Sequence, residues 1–203
     1  MTHLANFHLL GGREMLDVNA EGGVFAWASA TAIWTAALAA AALAVTRGGA
    51  RREGAALAAI LAFFSLDEAV GIHERILLAA VGLTGLPSWT DSLLLPVIYL
   101  PIFALAVVLL LRLGRGTPAV RRSVRLGIAL LAAAVMAEAG SAPWSDPDAP
   151  LHPVHVWEGA LEEALEIAGW ILIASGLAAV FATGFRDAEL REPPGVDGTR
   201  RGS

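Results

Sequence analysis

The stretch AALAAILAFFSLDEAVGIHERILLA, residues 55–79, decides how this sequence folds. Between apolar flanks it holds five ionisable residues: Asp67, Glu68, His73, Glu74 and Arg75. About 20 mainly apolar residues in a helix cross the hydrocarbon core of a bilayer. Ionisable groups inside such a helix are costly and typical of functional sites. The stretch therefore predicts a membrane span and a site within that span.

The composition of the whole chain agrees with a membrane protein. Of its 203 residues, 56% are hydrophobic and only 16% are charged, and the mean hydropathy is +0.63. Soluble domains carry about 25% charged residues. The chain has no cysteine, which excludes disulfides, thiolate metal sites and cysteine nucleophiles.

Apolar segments long enough to cross a bilayer recur along the chain. They predict an all-α integral membrane bundle of about five transmembrane helices, at residues 24–46, 55–79, 92–113, 126–143 and 156–183. The predicted organisation is an outer N-terminal segment at 1–23, a transmembrane domain at 24–184 and a disordered cytoplasmic tail at 185–203.

Arginine is confined to alternate connections between these segments. Residues 47–53 hold three arginines and residues 112–125 hold five, whereas residues 81–91 and 141–153 hold none. Basic connections face the cytoplasm, so we expect the N-terminus outside and the C-terminus inside. Topology alone accounts for the basic segments, and nothing in the sequence indicates nucleic-acid binding.

The buried acids fall at a common predicted depth. At a rise of ~1.5 Å per residue, Asp67 lies roughly 20 Å and Glu138 roughly 18 Å from the inner ends of their spans. Glu162 and Glu166 lie roughly 9 and 15 Å from the outer end of the last span. These four acids therefore meet between the midplane and the outer leaflet, with Glu68 at the same level.

Helical angles place the same residues on common faces. In the last span, His155, Glu158, Glu162 and Glu166 share an arc of roughly 80°, with Glu163 well off it. In the second span, a continuous helix puts Asp67 and Glu74 about 20° apart, with Glu68 and His73 on either side. We expect both faces to line the interior of the bundle.

These acids need a source of positive charge. Arg75 is the only fixed cation nearby, so either the acids share protons or a bound cation neutralises them. Carboxylate with imidazole suits a divalent metal such as zinc, iron or manganese. The predicted metal ligands, directly or through their neighbours, are Asp67, Glu68, His73, Glu74, Glu138, His155, Glu158, Glu162 and Glu166.

The motifs FSLDEAVGIHER (64–75) and LEEALEIAGWIL (161–172) resemble those of an uncharacterised group of small bacterial multi-spanning membrane proteins. The resemblance runs from the second span to the fifth. It implies a multi-pass protein of the bacterial plasma membrane, surrounded by membrane lipids. It implies no activity.

Three functions stay open at this point. A metal in the outer half of the bilayer would activate water or oxygen for an enzyme that acts on a lipid or lipid-linked substrate. Chains of carboxylates and histidines also serve proton or divalent-cation transporters. An accessory subunit would use the acids as a hydrogen-bond network between helices. A homo-oligomer or a larger membrane complex is compatible with each.

Overall fold

The computed structural model describes residues 23–84, 91–141 and 153–189, and every regular element within them is helical. The helices are α1 (Val24–Thr46), α2 (Arg51–Val70), α3 (Ile72–Thr84), α4 (Asp91–Leu113), α5 (Pro118–Ser141) and α6 (Pro153–Glu189), with a 3-10 turn at Gly48–Ala50. The predicted all-α class is therefore confirmed. The predictions for most of the N-terminal segment and for most of the tail lie outside the described residues.

Among the described residues, three helices are long and apolar enough to cross a membrane. These candidate spans are Val24–Thr46, Pro118–Gly140 and Gly159–Gly184. A further apolar helical segment, Val97–Leu113, lies within the longer helix α4.

The second predicted span differs from its prediction, because it is two helices rather than one. Helix α2 ends at Gly71, whose φ of 60° lies in the left-handed region that glycine adopts without strain. Helix α3 starts at the next residue. The predicted angle between Asp67 and Glu74 assumed one continuous helix, so that part of the prediction was wrong.

Small residues allow the helices to approach each other closely. Helix α6 packs along α1 and α5, and α2 packs along α1. A Cβ atom on Gly127 of α5 would lie 2.7 Å from the carbonyl oxygen of Gly169 on α6, so this contact requires glycine. Two hydroxyls also bond between helices: Ser65 donates to the carbonyl of Ala30 at 2.8 Å, and Ser123 donates to that of Leu172 at 2.8 Å.

Arginine contacts gather the helix ends at one end of the bundle. The Arg47 guanidinium, just after α1, donates to the carbonyl oxygen of Val180 on α6 at 3.0 Å. Arg112 at the end of α4 pairs with Glu53 at the start of α2 at 2.9 Å. Both pairs lie in or beside the arginine-rich connections, so the basic segments share one end of the fold.

Candidate functional site

The break at Gly71 is stabilised by Asp67. The backbone N–H of Gly71 donates to the carbonyl oxygen of Asp67 at 2.7 Å, which closes α2. The Asp67 carboxylate then accepts the backbone N–H of His73 at 2.7 Å. This N–H is one of the donors that a helix leaves unpaired in its first turn. Gly71 has no side chain to cap it, and Asp67 from the preceding turn takes that role.

The same carboxylate also holds the imidazole of His73. Asp67 Oδ2 and His73 Nδ1 lie 3.3 Å apart. From α6, the Glu166 carboxylate accepts a hydrogen bond from Trp170 Nε1 at 3.3 Å. Glu166 and His73 line the same cavity.

A cavity of about 150 Å³ opens beside these residues. Six of the nine predicted ligands line it: Asp67, Glu68, His73, Glu138, Glu162 and Glu166. The side chains of the other three, Glu74, His155 and Glu158, lie outside the described residues. Acids that the sequence grouped by predicted depth and helical angle therefore line one cavity, from α2, α5 and α6. Glu163 is not among the lining residues.

Four aromatic rings form the floor of the cavity, and the sequence reasoning missed them. They are Phe64, Tyr99, Phe103 and Trp170. The Phe64 ring is central: its centroid lies 4.8 Å from Phe103 and 6.5 Å from both Tyr99 and Trp170. Phe64 precedes Asp67 by three residues and Trp170 follows Glu166 by four, so helical spacing placed these two rings beside the acids.

The buried hydroxyl of Tyr99 borders Asp67. Tyr99 is 6% exposed. The Asp67 carboxylate is both the electrostatic and the hydrogen-bonding neighbour of this hydroxyl. The two groups therefore border the same space.

The cavity wall is rich in acidic side chains. Five carboxyl groups and one imidazole line it, and no arginine does among the described side chains. Within the same residues, no three His, Asp or Glu side chains are grouped closely enough to hold one metal ion.

The comparison with protein families identifies an uncharacterised family. A family described as a domain of unknown function, DUF8692, matches residues 3–181. The chain belongs to this family. The match spans the candidate site from α1 to α6. No curated protein and no solved structure matches the chain.

Proposed function

We propose that this chain is a multi-pass integral membrane protein that binds a cation in the cavity between its helices. The observation that carries the proposal is the lining of that cavity by five carboxyl groups with a single imidazole. A buried carboxylate costs about 2.5–3.5 kcal/mol at a helix centre even on the mildest insertion scale. A bound cation offsets part of that cost, because it brings positive charge next to the carboxylates.

The arginine pattern supports a definite orientation. The basic end, which includes Arg47 and Arg112, faces the cytoplasm under the positive-inside rule. Helix α2 starts at Arg51, so Asp67 is about 24 Å further along it at the helical rise. The cavity is therefore in the outer half of the bilayer, and the N-terminus is outside. In a bacterial cell this membrane is the plasma membrane.

A divalent metal needs a compact set of ligands. Zinc, iron or manganese takes three or more ligands that meet at one point. The described side chains contain no group of three His, Asp or Glu that could hold one. The divalent metal and the lipid-directed enzyme stay predictions of the sequence, because three of the nine ligands lie outside the described side chains.

The test is cation-dependent stability of the purified protein. A ligand that binds only the folded state adds about 2.7 kcal/mol of stability at a hundredfold excess over its Kd. We expect at least one of Zn²⁺, Mn²⁺, Mg²⁺ and n-butylammonium to raise the unfolding midpoint of the wild type. Glu166→Gln should reduce that rise, whereas Glu53→Gln at the basic end should keep it. Wild-type midpoints that none of the four cations moves would refute the proposal.

Orientation has its own test, because the chain contains no cysteine. Gly49 and Gly82 each have open space where a side chain would begin, so cysteine fits at both positions. In intact cells, a membrane-impermeant thiol reagent should label Gly82→Cys from outside and leave Gly49→Cys unlabelled. The reverse labelling pattern contradicts the proposed topology.

A further inference from the structure

We propose that the basic end of the bundle binds an anionic phospholipid, with the lipid phosphate on Arg122 and Arg125 and an acyl chain along the exposed face of α5. This inference goes beyond the proposed function, because the surface and the ligand both differ from those of the cavity. It shares with that proposal only the placement of the helices in a membrane.

Val180 on α6 joins the two arginine-rich connections. Its carbonyl oxygen accepts a hydrogen bond from the Arg47 guanidinium at 3.0 Å. A Cβ atom on Gly116, just before α5, would lie 3.2 Å from the side chain of Val180. The connection before α2 and the connection before α5 therefore meet at the same turn of α6.

Most of the arginines at this end are exposed without a protein partner among the described residues. Arg112 pairs with Glu53, and Arg121 donates to the carbonyl oxygen of Gly116 at 3.1 Å. Glu53 is the only described acidic side chain at this end. The exposed arginines with no hydrogen bond or ion pair to another described residue are Arg51, Arg52, Arg115, Arg122 and Arg125.

Helix α5 adds an apolar face directly beyond two of these arginines. Only 17% of the apolar window of this span is buried, against 39% in each of the other two candidate spans. At 100° per residue, exposed residues along α5 share an arc of roughly 100°. They are Arg122, Arg125, Leu126, Ala129, Ala133 and Met136.

The length of this face matches one leaflet of a bilayer. Met136 follows Arg125 by eleven residues, which is roughly 16 Å at the helical rise. Half of the hydrocarbon core is about 15 Å thick. Leu126 and Met136 are 49% and 71% exposed, so apolar side chains stand at both ends of the face.

A charged group at one end of an apolar chain is the shape of a phospholipid. Arginine binds phosphate through two parallel N–H donors, and clusters of about 4–8 basic residues beside a span are typical of anionic-lipid binding. The positive-inside rule explains the side of the membrane on which arginines lie, but not their position at the head of an exposed apolar face. Phosphatidylcholine carries its own cation, so unpaired arginines favour a lipid with net negative charge.

The experiment is native mass spectrometry of the full chain in a nonionic detergent, titrated with dioctanoyl phosphatidylglycerol or dioctanoyl phosphatidylcholine. The two lipids have the same chains and differ in net charge. We expect phosphatidylglycerol to bind about tenfold more tightly. Equal affinities overturn the inference and leave the proposed cation site untouched. A preference for phosphatidylglycerol in a protein that no cation stabilises refutes only the proposed function.

Two substitutions test the arginines, with a control at the same end of the bundle. Arg122→Gln and Arg125→Gln should each weaken phosphatidylglycerol binding by about fivefold and change phosphatidylcholine binding by less than about twofold. Arg112→Gln also removes one arginine, but this arginine is paired with Glu53 and lies on α4. It should change the affinity for phosphatidylglycerol by less than about twofold.

Equal losses in the three variants would mean that the lipid responds to the overall charge of this end, and would overturn the inference. Circular dichroism and size-exclusion profiles confirm that each variant is folded before it is titrated.

A competitor without acyl chains tests the apolar face of α5. Glycerol 3-phosphate has the phosphate and lacks the chains. At the same concentration as the lipid, we expect it to leave the bound phosphatidylglycerol in place. Displacement of the lipid by an equal concentration of glycerol 3-phosphate would make a free phosphate the ligand, and would overturn the assignment to a phospholipid.

Discussion

Replacing Asp67 tests whether one carboxylate stabilises the start of α3. Its Oδ1 accepts the backbone N–H of His73 at 2.7 Å, and Asp67 is 6% exposed. Asp67→Ala removes this acceptor and leaves a backbone donor unpaired in a region shielded from water. An unpaired buried donor costs about 1–3 kcal/mol, and loss of a helix cap alone costs about 0.5–2 kcal/mol. The two figures describe the same bond, so we expect a loss of about 1–3 kcal/mol in the free energy of unfolding.

Asp67→Asn separates the hydrogen bond from the charge. The amide oxygen of asparagine accepts the same N–H, and the neutral side chain also relieves repulsion from the neighbouring acids. We therefore expect Asp67→Asn to lose less than half of what Asp67→Ala loses. Leu66→Ala, at the exposed neighbouring position, should change stability by no more than about 0.5 kcal/mol.

The assay is reversible unfolding in mixed micelles, in which a denaturing detergent is titrated and helicity is followed by circular dichroism. Equal destabilisation by Asp67→Asn and Asp67→Ala would refute the capping argument. It would assign the effect to the negative charge of Asp67, whose Oδ2 lies 3.3 Å from His73 Nδ1.

Three further predictions concern the packing that frames the cavity. Gly127→Ala should destabilise the protein by about 1–3 kcal/mol in the same assay, because its Cβ would lie 2.7 Å from the carbonyl oxygen of Gly169. Gly140→Ala, on the same helix with open space around it, should be neutral or stabilising by up to about 1 kcal/mol. Equal effects of the two substitutions would contradict the close contact between Gly127 and Gly169. Ser65→Ala should cost about 0.6 kcal/mol, the mean for a polar contact between membrane helices, and a loss above about 2 kcal/mol would mean that this hydroxyl does more than bridge α2 to α1. Arg112→Gln should change the free energy of unfolding by less than about 1 kcal/mol, because its pair with Glu53 is exposed; a larger loss would show that this pair fixes the basic end.

The sequence predicted the helices well where a single physical signal governs them. The first span was predicted at 24–46 and is observed at Val24–Thr46, because an uninterrupted apolar run leaves no other structure in lipid. The third was predicted at 92–113 and is observed at Asp91–Leu113. Hydropathy reports how apolar a window is, and it carries no information on a change of helix direction within the window. The break at Gly71 was missed for that reason.

The candidate site was predicted from depth and angle, and both depend on unbroken helices. For α5 and α6 this condition holds, and Glu138, Glu162 and Glu166 line one cavity. His73 reaches the same cavity for a different reason, since Asp67 holds it after the helix has restarted. The aromatic floor was missed because an aromatic ring in an apolar span has no insertion penalty. It therefore does not stand out in the sequence as a buried acid does. Tyr99 stands out only once the structure places its hydroxyl beside Asp67.

The double role of Asp67 has a thermodynamic consequence. One carboxylate starts α3 and also borders the space where a cation would bind. A cation that draws this carboxylate away from the His73 N–H weakens the start of α3, and one that binds without disturbing it does not. Because coupling free energies are reciprocal, a partner that orders or loosens α3 from outside changes the affinity for a cation of the first kind by the same factor. For such a cation, occupancy of the cavity and the order of α3 are two readouts of one coupled equilibrium.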